Sequence, residues 1–146
     1  MKKTKPELVD HIGWELWQAT FVWKRRFTQA MVERGCPWYA EARGGLMRHI
    51  RLNGIPQNAL AKQAGMTKQA VQQHLDELVK DGIVERVIDE NDARRKLVQF
   101  TYEGIRAHRI ANAIKIEIEE EYLELIGNKA MNNLKQALDL IIQSEK

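Results

Sequence analysis

The chain has 146 residues, 44% of them hydrophobic and 29% charged, with a formal net charge of +3 and a single cysteine. That length suits one compact domain with a real core and is too short for two ordinary ones. No run of 18 apolar residues occurs, and no apolar stretch follows the basic start MKKTK, so neither a membrane-spanning helix nor an export signal is predicted. One thiol cannot build an internal disulfide, and four scattered histidines offer no zinc spacing. The expectation is a cytoplasmic protein without metal or cofactor. Lys and Arg outnumber Asp and Glu ten to five over residues 1–54, balance them seven to seven over 55–101, and fall behind six to eight over 102–146. Any case for a polyanionic partner therefore rests on where charges point rather than on their total.

Between residues 6 and 35 the apolar positions Val9, Ile12, Leu16, Trp23, Phe27 and Met31 recur at helical steps. A second set, Trp14, Trp17 and Phe21, lies elsewhere on the same cylinder, so a long helix buried on more than one side is predicted. Gly35-Cys36-Pro37 ends it, and Trp38 to Leu52 reads as a second helix closed by Asn53-Gly54. A short helix over Gln57–Gln63 follows, stopped at Gly65. Thr67 is then a natural N-cap for a helix reaching about Lys80, with Gly82 beyond its end. The period changes to two in IVERVID and again in KLVQFT, with NDAR between them as turn residues, which predicts a hairpin. From Tyr102 the chain returns to helix, with Ile105, Ile110, Ile114, Ile118, Tyr122 and Leu125 as a stripe. After Gly127-Asn128 a last helix carries Met131, Leu134, Leu138 and Ile141 at heptad-like spacing. The predicted fold class is mostly α with a small β-hairpin wing.

Two helices joined by a tight turn, the second leading straight into a hairpin, describe a winged helix-turn-helix. On the second helix Val71, His74, Leu75 and Leu78 make the inward face, and Gln69, Gln72, Gln73 and Asp76 repeat that spacing on the outside. A glutamine amide can pair bidentately with adenine N6 and N7 in the major groove, and Lys68 beside Thr67 at the helix start is placed to meet a phosphate. A solvated polar face would show the same spacing. Arg94, Arg95 and Lys96 add three cations at the hairpin tip, suited to a narrow A·T-rich minor groove.

Asp92-x-Arg94, Phe100-Thr101 and Gly104 together resemble the wing signature of the MarR family, and ALAKQAG…TKQAVQQHLDELVKDGIVER is similar to that family's two-helix element. The resemblance implies a homodimeric transcriptional regulator, a repressor released by a small effector, bound to double-stranded DNA at an inverted repeat. It implies a helical dimerisation region over 6–54 and 102–146 and a DNA-binding region over 55–101. Asp92 would brace the wing through an arginine and Arg94 would reach the minor groove. Where many members carry Thr-Arg on the recognition helix, this chain has Gln72-Gln73.

Trp17, Trp38, Tyr39 and Arg43 suggest an aromatic-acid effector, its ring stacked on tryptophan and its carboxylate paired to Arg43 or Arg48, although core packing and a dimer seam explain the same aromatics. Cys36 near Arg34 raises the alternative of a thiol-based redox sensor. A winged helix that binds protein is the other alternative. No Gly-rich phosphate loop, metalloprotease motif or activated nucleophile points to an enzyme.

Overall fold

The computed structural model describes residues 6–145. Helix α1 spans Ile12–Glu33, so the helical pattern predicted from residue 6 begins later than expected. Leu8 and Val9 are 96% and 75% exposed, and without burial nothing offsets the entropy of ordering another turn. Only the end of α1 is buried within the chain: Phe27, Ala30 and Met31 pack with Ala107, Ala111, Ile114 and Ile118 of the C-terminal helix, α4 (Tyr102–Gln143). Arg26–Glu121 (2.6 Å) and Arg34–Glu117 (2.5 Å) join the same two helices at their surface. Toward its start α1 carries Trp14, Trp17 and Phe21 stacked in a column, each more than half exposed.

The helix predicted over Trp38–Leu52 is instead two 3₁₀ segments, Pro37–Ala40 and Ala42–His49. Glu41 between them is extended (φ −83°, ψ 171°), and the Gly44-Gly45 pair supplies little propensity to restart an α-helix. Leu46, Met47 and Ile50 from this stretch enter the core of the winged helix, with Leu60, Val71, Leu75, Leu78, Val84 and Val98. The winged-helix unit therefore begins near residue 42, earlier than the boundary at 55 expected from sequence. Trp38 and Tyr39 pack against both this core and that of α1 and α4, joining the two.

Strand β1 (Ile55–Pro56) leads into α2 (Gln57–Ala64), and α3 (Lys68–Lys80) follows after Gly65. Strands β2 (Val84–Asp89) and β3 (Asp92–Phe100) form the predicted hairpin. The sheet is antiparallel with order β1-β3-β2; β1, unpredicted, pairs Ile55 with Val98 and Pro56 with Leu97. Two residues are too few to show an alternating pattern.

Thr101 and Gly104 fasten α4 to this sheet. The Thr101 hydroxyl donates to the Gly82 carbonyl (2.5 Å) and accepts from the Gly104 amide (3.1 Å), capping the helix. Gly104 lies so close to the residue leading into β2 that a Cβ there would stand 2.1 Å from the Ile83 carbonyl oxygen. The predicted break at Gly127 is present as one left-handed residue (φ 84°, ψ 165°) interrupting α4. Beyond it Leu134, Leu140, Ile141 and Ile142 are 46–76% exposed. No helix among the described residues is long and apolar enough to cross a membrane.

Candidate nucleic-acid interface

Helix α3 is held by its inner face: Val71, Leu75 and Leu78 are at most 1% exposed. Its N-cap is Thr67, whose hydroxyl accepts from the Ala70 amide at 3.1 Å, so this residue, expected among the DNA contacts, spends its side-chain oxygen on the helix itself. Lys68, Gln69 and Gln73 lie on the exposed side, and among the described residues no side-chain hydrogen bond engages Gln69 or Gln73. Gln72 differs. Its carbonyl oxygen accepts from Gln57 and its amide nitrogen donates to Asp76 (3.0 Å), while Arg86 of β2 binds both Gln57 (3.0 Å) and Asp76 (2.8 Å). The expected row of three equivalent glutamines is thus two free amides and one held in a network.

The hairpin turns at Glu90-Asn91, earlier than the predicted NDAR. Pairing runs regularly from Val84↔Phe100 to Ile88↔Lys96, then jumps so that Asp89 faces Asp92. Residues 93–95 are left without partners across the hairpin, a bulge of the kind that re-aims side chains at a strand end. From it Arg94 projects with its side chain 97% exposed. Arg95 folds back: its guanidinium donates twice to Asp89, at 3.1 and 2.7 Å. Asp89 is only 4% exposed and its other oxygen accepts from the Asn91 amide (3.0 Å). The Arg95 hydrogen bonds, then that amide, hold its carboxyl below the usual carboxylate range. The pair is therefore complete at neutral pH and is lost only as pH falls through that lowered value.

These contacts correct two sequence assignments. The acid that braces the wing through an arginine is Asp89 rather than Asp92, which is exposed, accepts the Arg94 amide (3.1 Å) and approaches the Arg94 guanidinium only to 3.8 Å. Arg95, expected to reach DNA with Arg94, is the arginine so used. Lys96 remains exposed on β3. Asp89, Gln57 and Arg86 escaped sequence reasoning because each sits in a segment whose own pattern, alternating strand or short helix, gives no sign of a partner elsewhere.

The residues suggested for an effector do not converge. Trp17 belongs to the exposed column with Trp14 and Phe21, whereas Trp38 and Tyr39 lie inside, with Tyr39 edge-on to Phe27 at 5.6 Å. Arg43 is already paired with Glu41 (2.5 Å), Glu77 (3.6 Å) and Asp81 (3.1 Å), tying the second 3₁₀ segment to α3. Cys36 is 2% exposed and burial pushes its thiol up, opposite to what a reactive thiolate needs. His74 and His108 each keep a buried Nδ1 without a partner among the described residues. Burial pushes the His108 pKa down.

A family model described as MarR family matches residues 43–95, which span the second 3₁₀ segment, both helices and the hairpin to Arg95. The transcriptional activatory protein BadR of Rhodopseudomonas palustris is 26% identical over 140 residues, covering 95% of this chain and 79% of its own. In structure the chain is similar to a mutant MarR of E. coli (TM-score 0.72, 20% identity, 93% of this chain and 99% of that one). It is equally similar to S. aureus MepR in a MepR–DNA complex (TM-score 0.72, 19% identity, 93% and 99%). The segment that holds α3 and the wing is the one that matches the MarR family model, and the chain as a whole shares the fold of the MarR and MepR structures.

Proposed function

We propose that the protein is a homodimer that binds double-stranded DNA sequence-specifically, with α3 of each subunit in a major groove and the wing arginine Arg94 in the adjacent minor groove. The observation that carries this reading is the division of polar side chains at the surface. Arg95, Arg86 and Arg43 are consumed by Asp89, Asp76 and the Glu41–Glu77–Asp81 group, while Arg94, Lys68, Gln69 and Gln73 are left facing solvent. MepR, a structural relative, is described bound to DNA. The helical region of 6–41 and 102–146 would form the dimer and residues 42–101 would contact DNA. An operator overlapping a promoter would be repressed by occlusion; BadR is named as an activatory protein, and the same geometry upstream of a promoter would serve activation.

Base choice and phosphate affinity should separate by mutation. Gln73→Ala is expected to cost roughly 1–3 kcal/mol on the preferred site with little change in non-specific binding. Arg94→Ala should weaken binding to all sequences and reduce the slope of log K against log salt by about 0.9 per arginine, close to two for the dimer. Fluorescence anisotropy at two salt concentrations measures both, and equal, sequence-independent losses from the two variants would contradict the assignment.

The effector we propose is an aromatic acid received where Trp38 and Tyr39 join the two cores. Its carboxylate would meet Arg48 and Lys115 instead of Arg43. Lys115 lies 5.9 Å over the Phe27 ring, and burial, then Arg48, lowers its pKa, so an incoming anion would relieve an unfavourable setting. Phenolic and indolic acids should quench tryptophan fluorescence and release DNA, and Lys115→Met should abolish both; a panel without either effect sinks this reading.

A further inference from the structure

Gln57, Gln72, Asp76 and Arg86 form a closed ring. Arg86 donates through Nε to Oε1 of Gln57 and through a terminal nitrogen to Oδ1 of Asp76; Gln57 Nε2 donates to Oε1 of Gln72; Gln72 Nε2 donates to the same Asp76 oxygen. An arginine only donates and an ionised carboxylate only accepts, so the ring has one self-consistent polarity. Facing Arg86, Gln57 must present its oxygen, which leaves its nitrogen toward Gln72. Gln72 must then receive on oxygen and give from nitrogen. Flipping either amide would set donor against donor or acceptor against acceptor. Gln72 retains one N–H and one oxygen lone pair unspent, its two ends fixed in place on an α3 face where Gln69 and Gln73 are free to turn.

We propose that Arg86 is a specificity-positioning residue: by gripping Gln57 and Asp76 it fixes the amide of Gln72 for one base pair in each half-site and neutralises Asp76 on the DNA-facing side of α3. The proposal rests on the DNA-binding reading and names a determinant of base choice within it. Arg86 need not touch DNA. Its side chain is 21% exposed, against 97% for Arg94, and its donors are aimed into the ring. The unspent donor and acceptor of Gln72 match the N7 and N6 edge of adenine, so an A·T pair is the preference expected there.

The test uses the full-length protein and its selected duplex, with single base-pair changes across each half-site. Gln72→Ala first identifies the pair at which discrimination is lost. Arg86→Met and Gln57→Ala, which open the ring at different points, should each lower discrimination at that same pair about five- to tenfold. Other positions and the salt slope should stay unchanged. Arg86→Lys should not restore the preference, because a single ammonium cannot replace a planar fork spanning Gln57 and Asp76. Gln57→Ala removes no charge and carries the test alone should Arg86→Met fail to fold. A flatter salt slope with uniform loss across sequences in Arg86→Met would make Arg86 a phosphate contact and overturn the proposal. So would folded variants with discrimination intact. A wild-type protein with no sequence preference would remove the DNA-binding reading itself and this inference with it.

Discussion

Replacing Leu134 and Ile141 together by Asp is expected to turn the protein into a monomer and to weaken operator binding roughly 100-fold or more, because two half-sites would no longer be engaged through one linked pair of recognition helices. Both residues stand on α4 beyond Gly127, 46% and 50% exposed, in a chain that also leaves Ile12, Trp14, Trp17 and Phe21 more than half exposed on α1. One small protomer has nothing to cover this surface, and burying each large apolar side chain is worth about 1.5–3 kcal/mol. In the proposed homodimer a second copy would cover it by symmetry. Four carboxylates at such a seam would each demand costly desolvation. Because neither side chain belongs to the winged-helix core, the winged helix should keep its circular dichroism spectrum. Sedimentation at micromolar concentration reads the outcome, and a variant that still sediments as a dimer would contradict the assignment.

Gly104→Ala should destabilise the fold by about 1–3 kcal/mol or more, the usual cost of forcing atoms into a filled space. For a chain of this size that lowers Tm by roughly 3–10 °C. The added Cβ would meet the Ile83 carbonyl oxygen at 2.1 Å and its carbon and Phe100 Cδ1 at 3.1 Å, and backbone cannot swing aside as a flexible side chain would. Relief requires lifting the start of α4 from Ile83, the residue that leads into β2. Gly45→Ala, with nothing within 4 Å of the new Cβ, is the matched control and should leave Tm nearly unchanged. Thermal melts of the two variants decide it; equal Tm values would show the junction to be loose.

What the sequence made legible was local and periodic. Thr67 as a cap, the buried Val71-Leu75-Leu78 face and the break at Gly127 depend on neighbours within a turn or two, and each is present as read. The α1 pattern was also legible, but one chain buries only its end, and Ile12, Trp14, Trp17 and Phe21 stay more than half exposed. The side-chain pairings were not legible. Asp89 and Asp92 are both acids flanking one turn, and only a register jump that leaves 93–95 unpaired directs Arg95 to the first and Arg94 into solvent. Likewise Gln72 looks identical to Gln69 and Gln73 until α2 and β2 bring Gln57 and Arg86 beside it. Arg43 reads as a free cation until the second 3₁₀ segment sets it between Glu77 and Asp81.

If paired α3 helices read DNA sequence, selection of bound duplexes from a random pool by the purified protein will reveal it. The expected result is enrichment of an inverted repeat with half-site centres about 10 base pairs apart and A·T-rich steps where Arg94 of each wing would enter the minor groove. Recovery of unenriched sequence, or of a single unrepeated site bound by one subunit, would contradict it.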